Sequence, residues 1–398
     1  MAALRWSHRW VSIVAGIVLL AITTSGAVLV LEPELRQAAH PSHFASTPTD
    51  HPISLHAAAG AARRAHPDAG DVTRVVRNRG VYQVALGASP ETLVSVDPGT
   101  GRVLGADRPE RGVLGFLVNL HECGLTCEGY PGHVAFLSRP MPDVGVPGLA
   151  KLQVGGFLLA VLGGVLLLLV LSGAVLWWPG LRRWRRGFRI RRGQGRYKRD
   201  YDLHKVVGVV ALPFLGMWAI TGMNFELPVV SRAVYAVIGG APGDEPTMTS
   251  KPAPRGTPDI GVDAAAAAAA RTVPRGRVTG VGLPDAGDAT STYVVWLSRG
   301  VDPVGYSDYA GVIGVGVDRH DGVARQLYGR TDAPVQQKIW GSWTTGVHFG
   351  MVVGWIPRLL WVLLGLTPLL LAVTGMSTWL YKRGKRRARK RRVAASRG

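Results

Sequence analysis

Four segments, 11–31, 153–178, 206–227 and 353–381, are apolar over a length that few folds other than a membrane-spanning one can use. Crossing the hydrocarbon core of a bilayer takes about 20 helical residues at ~1.5 Å each. None of the four carries an ionised side chain through its middle, since Glu226 and Arg358 stand near segment ends. A buried helix of a soluble protein is rarely so long and so uniformly apolar. The first segment follows a short charged start, as a signal peptide would. It lacks a small-x-small cleavage site, and Glu32-Pro33-Glu34 follows it directly, so it reads as a retained anchor.

Charge then orients the spans. The chain has a formal net charge of +20, and nearly all of it sits in short connecting segments. Residues 1–10 hold Arg5 and Arg9, residues 179–205 hold 11 Lys/Arg against Asp200 and Asp202, and residues 382–398 hold 10 Lys/Arg and no acid. The long intervals are nearly neutral, with 10 basic and 12 acidic residues in 32–150 and 11 of each in 228–353. Lys and Arg are retained on the cytoplasmic side, so both termini and the 179–205 loop are expected inside a bacterial cytoplasmic membrane. The two long regions, 32–152 and 228–352, are then expected outside it. Nucleic-acid binding by the basic tail explains none of this alternation, and the lipid bilayer is the partner that the charge pattern implies.

The spans also repeat. His8 lies 18 residues before Gly26 in the first, and His204 lies 18 before Gly222 in the third. Ser172-Gly173 in the second is followed by Trp177, and Thr374-Gly375 in the fourth by Trp379 at the same offset. The pattern is that of an internal duplication whose unit is helix, outside domain, helix. Each outside region has a helix candidate, at 54–65 and at 263–271. Strand candidates follow at 81–86, 93–96 and 102–104 in the first region, and at 292–297 and 311–318 in the second. Turns at Asp97–Gly101 and Asp318–Gly322 recur, and 241–258 is a Pro/Gly/Thr-rich linker. The expected fold is a membrane all-α four-helix transmembrane bundle carrying two extracytoplasmic α+β domains.

Of 11 histidines, four stand at the ends of apolar helices. His8 and His204 occupy equivalent inner positions. His348 precedes the fourth span in Gly346-Val347-His348-Phe349-Gly350, and His121 ends its own apolar segment, Val113–Leu120. Ionisable groups at membrane depth are costly and mark function by default. Imidazole is the usual axial ligand of b-type haem, and two can hold one iron from facing helices. Two haem b sites are therefore expected, His8 with His204 inside and His121 with His348 outside. Ser12 and Gly208 leave room one turn from the inner pair, and Gly346 and Gly350 flank His348. Trp6, Trp10, Trp343 and Phe349 are candidate pocket walls, and Arg9, Lys205 and Lys338 candidate partners for propionates. Taken singly, a helix-end histidine beside Trp and Arg is more often an interfacial anchor, and it is the pairing of His8 with His204 that shifts the balance. His40, His43, His51, His56 and His66 are irregularly spaced among Pro, Ser and Thr and read as a solvated loop, a weak metal-sequestering patch being the other reading.

The two cysteines, Cys123 and Cys127, follow His121 in the first outside region. Outside the membrane a disulfide persists, and a small loop closed by Cys123–Cys127 is the default. A zinc site of His121, Cys123, Cys127 and His133 is the alternative. Covalent haem attachment needs C-x-x-C-H, which this sequence does not supply.

These pieces together resemble the PepSY-associated transmembrane family. The resemblance is carried by His8-Arg9-Trp10, Asn119-Leu120-His121, the Ser172–Pro179 run, Asp202-Leu203-His204-Lys205-Val206-Val207-Gly208, Gly346-Val347-His348 and Thr374-Gly375. Two departures are Ser12, where the family usually has Gly, and the long insertion Glu122–Pro147. The family includes proteins similar to inner-membrane siderophore reductases. The resemblance thus implies PepSY-like outside modules, two b haems on His8, His204, His121 and His348, and electron delivery to a ferric siderophore or other ferric chelate. The electron donor is not identified, as no G-x-G-x-x-G follows a strand. A haem-free, membrane-anchored regulator of peptidases is the alternative expectation. A transporter would need a polar path at mid-membrane, and the spans carry none.

Overall fold

The computed structural model describes the chain apart from residues 89–90, 144, 146–148, 228, 241–245, 255, 300–312, 330–332, 352–353 and 397–398, and apart from the side chains of residues 342 and 343. Along the chain run α1 (Ala2–Leu29), α2 (Glu32–Ala39), α3 (Leu55–Ala65), β1 (Val72–Asn78), β2 (Val81–Leu86), β3 (Thr92–Val96), β4 (Val103–Asp107), α4 (Gly112–His121) and α5 (Val154–Trp177). They are followed by α6 (Arg196–Glu226), α7 (Val229–Ile238), α8 (Val262–Thr272), β5 (Arg277–Gly282), β6 (Tyr293–Ser298), β7 (Ile313–Val317) and β8 (Ala324–Tyr328). Last come α9 (Val335–Gln337), α10 (Trp343–Phe349), α11 (Trp355–Gly365) and α12 (Thr367–Ala395). Two compact units result: a helical unit of Met1–Val28, Arg139–Leu227 and Leu360–Gly398, and a sheet unit of Leu29–Ser138 and Pro228–Leu359.

Four helices are long and apolar enough to cross a membrane: Ala2–Leu29, Val154–Trp177, Arg196–Glu226 and Trp355–Ala395. At most 22% of the apolar window in each is buried. Val14, Ile17 and Leu168 are 78%, 81% and 63% exposed, a surface that only lipid can cover without penalty. The chain is a membrane protein. In the helical unit α5 packs along α6, and α6 along α12. Val170, Ala211 and Leu215 are buried at the contact, with Trp218 and Leu371 against them. Small residues let backbones close, as at Gly163, where a Cβ would meet Met223 Cγ at 2.6 Å. Pro213 lies within α6 without ending it.

Several boundaries differ from those read in the sequence, the first helix starting at Ala2 where Val11 was expected. The helix of the third span starts at Arg196, ten residues before its apolar part, and α12 carries the basic tail as helix to Ala395. Arg, Lys and Ala are good helix formers, so charge ends the apolar segment but not the helix. The fourth span is broken at Leu366, where Thr367-Pro368 opens α12. Its expected first residue, Val353, lies outside the described residues.

The sheet unit holds one antiparallel sheet of eight strands in the order β4-β3-β2-β1-β5-β6-β7-β8. Separate α+β domains were the expectation. Instead β1 pairs with β5, Val75 opposite Val281, so the two strand sets share a continuous sheet. This pairing hides two strands that would otherwise be open edges. Gly280 permits it, since a Cβ there would meet Val76 Cγ1 at 2.7 Å and Trp296 at 3.1 Å. Helices α3 and α8 pack on the sheet, and the core combines Ala58, Ala62, Val75, Val84 and Val94 with Ala265, Ala269, Val281, Val295 and Val315. The alanine run is thus a packed helix. Asp263 in its first turn accepts from the N-terminal amides of α3, Leu55 N at 2.8 Å and His56 N at 3.2 Å.

Two turns are held in the same way. Asp97 is 1% exposed and accepts from Thr47 N and Oγ1, Gly99 N and Thr100 Oγ1. Asp318, also 1% exposed, accepts from the amides of Lys251, His320 and Asp321. Burial opposes ionisation at both, but these hydrogen bonds outweigh it and hold each carboxyl below the usual carboxylate range.

Candidate functional site

His8 is the seventh residue of α1, and His204 the ninth of α6. Both face neighbouring helices. His8 Nδ1 is 2.7 Å from Ser172 Oγ on α5. His204 Nδ1 is 2.9 Å from the carbonyl oxygen of Leu371 and 3.2 Å from Thr374 Oγ1, both on α12. The two rings are thus held against different helices, His8 against α5 and His204 against α12. The glycine after each hydroxyl residue faces the same ring: a Cβ at Gly173 would lie 3.5 Å from His8 Cε1, and one at Gly375 would lie 3.2 Å from His204 Cε1. Next to His8, the buried Nε of Arg9 has no hydrogen-bond partner.

Below His204 the start of α6 is fixed by two buried carboxylates. Asp202, 1% exposed, accepts from Arg191 N, Nε and Nη2 at 3.0, 2.8 and 2.9 Å. Asp200 accepts from Ser377 Oγ of α12 at 2.6 Å. Lys205, proposed above for a propionate, is 3.6 Å from Asp202. Trp6 and Trp10 are 59% and 39% exposed, with ring centres 6.4 Å apart, and Arg9 lies over Trp10. Ser12 donates back to Arg9 O at 2.9 Å, and a Cβ at Gly208 would meet Leu371 at 3.6 Å.

The outer pair meets in the sheet unit. His121 is the last residue of α4 and His348 lies in α10, and their ring centres are 6.2 Å apart with planes tilted by 43°. That separation leaves room for one metal centre between imidazoles at about 2 Å per bond. Surrounding protein, then the charge of His121, push the His348 pKa down to about 3, so its ring is neutral at physiological pH. The approach to α10 is a π turn, Lys338–Ser342, tied to α7 by Trp340 Nε1 donating to Ser231 Oγ at 2.8 Å. Gly350, at φ +74°, ends the helix, and Phe349 lies 5.8 Å from the His348 ring. The side chain of Trp343 lies outside the described residues.

Asn119, fully buried, shapes the loop after α4. It donates to Pro131 O at 3.1 Å and accepts from Cys127 N at 3.0 Å. Cys123 and Cys127 are joined as a disulfide, Cα–Cα 5.6 Å, which removes both sulfurs from the zinc alternative. His133 bonds Ser138 Oγ at 2.8 Å. Among the described residues no group of three or more His, Cys, Asp or Glu is placed to hold a bare metal ion.

A cavity of about 190 Å³ opens beside this loop, lined among others by Glu32, Arg36, His43, Asn78, Asp107 and Glu122. His40 and His43, read from the sequence as solvated loop, are stacked with ring centres 4.9 Å apart, and both line the cavity. Gly105 gives His43 its place, because a Cβ there would overlap the ring. Sequence reasoning missed this feature and the Arg358–Glu34 pair, and it named Asn119 only as part of the Asn119-Leu120-His121 motif. Arg358 is 1% exposed, donates to Glu34 at 2.5 and 2.8 Å and to Val30 O, and Arg79 also pairs with Glu34. Burial raises the Glu34 carboxyl, but the two guanidinium groups bring it below its ordinary value.

The donor set fits a bis-imidazole haem better than a bare cation. Each pair offers two neutral-capable imidazoles and no carboxylate or thiolate, the chemistry of b-type axial ligation. The orphaned Arg9 Nε and the glycine-lined faces of His8 and His204 leave the inner pair suited to an anionic planar group. Residues 5–382 match the family model described as the PepSY-associated TM region. No curated protein matches the chain.

Proposed function

The chain belongs to the PepSY-associated transmembrane family, and from that premise and its paired histidines we propose that it is a di-haem b electron carrier of a bacterial cytoplasmic membrane. His8 and His204 would hold the inner haem, and His121 and His348 the outer one. Bound in this way, a haem supplies a one-electron couple whose potential follows its ligands and burial. The acceptor we favour is a ferric siderophore or similar ferric chelate outside the membrane, since reduction weakens the hold of oxygen-rich ligands on iron. The electron donor is on the cytoplasmic side, with both termini. The chain's own part is to orient the imidazoles, exclude water from them and present the acceptor.

The observation that carries this reading is the meeting of His121 and His348, residues far apart in the chain, at 6.2 Å. An anchor for a regulatory domain has no use for such a pair. The test is a visible spectrum of the detergent-purified protein, oxidised and dithionite-reduced, with a pyridine haemochrome count. About two b haems per chain are expected, with one lost in His204→Ala and the other in His348→Ala. A colourless protein from haem-replete cells overturns the reading and leaves the membrane-anchored regulator in its place.

A further inference from the structure

The recurrent dipeptides Ser172-Gly173 and Thr374-Gly375 have a chemical reason in the geometry of the inner histidines. A carbonyl oxygen only accepts, so His204 Nδ1, 2.9 Å from Leu371 O, carries the proton. Thr374 Oγ1 spends its own proton on Leu370 O at 2.7 Å and is left as a second acceptor for that Nδ1–H. At His8 the same arrangement is available: Leu169 O lies 3.1 Å from Ser172 Oγ as an acceptor for the hydroxyl, which leaves that oxygen able to accept the His8 Nδ1–H across the 2.7 Å contact. The lone pair of His204 is therefore on Nε2, and His8 presents the same atom when Ser172 is the acceptor. The following glycines supply the space, Gly375 the more tightly, at 3.2 Å from Cε1 and 3.4 Å from Nδ1 against 3.5 Å at Gly173.

We propose that Ser172 and Thr374 are positioning residues that fix the Nδ1–H tautomer of His8 and His204 and present Nε2 as the ligand atom, with Gly173 and Gly375 setting the ring's approach. The proposal rests on the haem reading above. Metal-bound histidines commonly donate their second N–H to a protein acceptor, which fixes the ring and makes the ligand more basic. A more basic ligand favours the ferric state, so loss of the acceptor raises the midpoint potential.

The structure makes the two halves unequal, and the inequality is the test. His8 has Ser172 as the hydrogen-bond partner of its Nδ1, whereas His204 keeps the Leu371 carbonyl when Thr374 is removed. Ser172→Ala is expected to weaken inner-haem retention about 10- to 100-fold and to raise its potential, and Thr374→Ala to do so less. At the glycines the order reverses. Gly375→Ala pushes on a tightly packed ring and Gly173→Ala meets ordinary contact distance. Ser172→Thr, which keeps the acceptor, should restore the wild-type behaviour.

The measurements are haemochrome counts, potentiometric titration and the ferric low-spin EPR g-values of full-length wild type and each variant in detergent. Wild type without haem sinks the reading beneath. Wild type with two haems, and Ser172→Ala unchanged in retention, potential and g-values, overturns the positioning role alone. If Ser172→Ala does not yield folded protein, the comparison of Ser172→Thr with Gly375→Ala decides. Loss of the haem in Ser172→Thr with an unaltered Gly375→Ala overturns the proposal.

Discussion

Arg358 is a charge buried in the sheet unit, 1% exposed. Its guanidinium satisfies both Glu34 oxygens and the Val30 carbonyl at once. Arg358→Met would strand those acceptors. Breaking a fully buried pair costs about 3–5 kcal/mol. Because the Glu34 side chain is 38% exposed and keeps Arg79, about 2–3 kcal/mol is expected, read as a lower midpoint in thermal unfolding followed by tryptophan fluorescence. Arg358→Lys should recover only part of this, since lysine lacks the two-pronged donor. Asp97 and Asp318 give a second prediction. Their carboxyls are depressed in the folded protein, so the stability they contribute is complete above the unfolded value of about 4 and is lost as pH falls toward the folded value. The unfolding midpoint should hold level from pH 7 to about 5 and drop below 4. Asp97→Asn should be less stable at pH 7 yet show a shallower acid slope. A parallel slope in the variant would mean that other carboxylates dominate. At this scale the histidines of the candidate site were legible, since His8 and His204 recur at matched offsets. Their partners were not. Which nitrogen Ser172 or Thr374 meets depends on how two helices are rotated against each other, and no spacing within one helix encodes that.

The seam between β1 and β5 is the element on which the single sheet rests. Gly280→Val would force a side chain into Val76 and Trp296, and the pairing of Arg74, Val75 and Val76 with Gly282, Val281 and Gly280 should open. Hydrogen exchange is the measurement. Amides of β1 and β5 should lose protection while those of β7, two strands beyond β5, keep theirs; uniform loss would mean that the unit folds only as a whole. The same seam marks the limit of what was legible in the fold. The four spans, the helices α3 and α8 and the strands β2, β3 and β6 follow from local periodicity, β2 at its full bounds. Strands β1 and β5 escaped notice because Arg74, Arg77, Gly280 and Gly282 interrupt their alternation. What makes them strands is each other, across some 200 residues of intervening chain. The one-sheet arrangement therefore could not be read from either half alone.

At the scale of the whole molecule, charge and redox chemistry should agree on which side of the membrane each unit faces. The basic residues crowd into 179–205 and the tail, whereas the disulfide and the polar cavity belong to the sheet unit. Retention of Lys and Arg inside and persistence of disulfides outside are independent physical rules, and both lead to the expectation that the sheet unit lies outside. Cysteine labelling tests them together. Among the described residues no free cysteine exists, so the wild type is silent until one is introduced. Asp50 is exposed in the sheet unit and Ser396 is exposed just beyond the end of α12. With a membrane-impermeant maleimide on intact spheroplasts, Asp50→Cys should label at once and Ser396→Cys only after permeabilisation. The reverse order would invert the topology and place both the outer histidine pair and the cavity in the cytoplasm. An acceptor outside the cell would then be out of reach, and the proposed direction of electron flow would fail even if both haems were present.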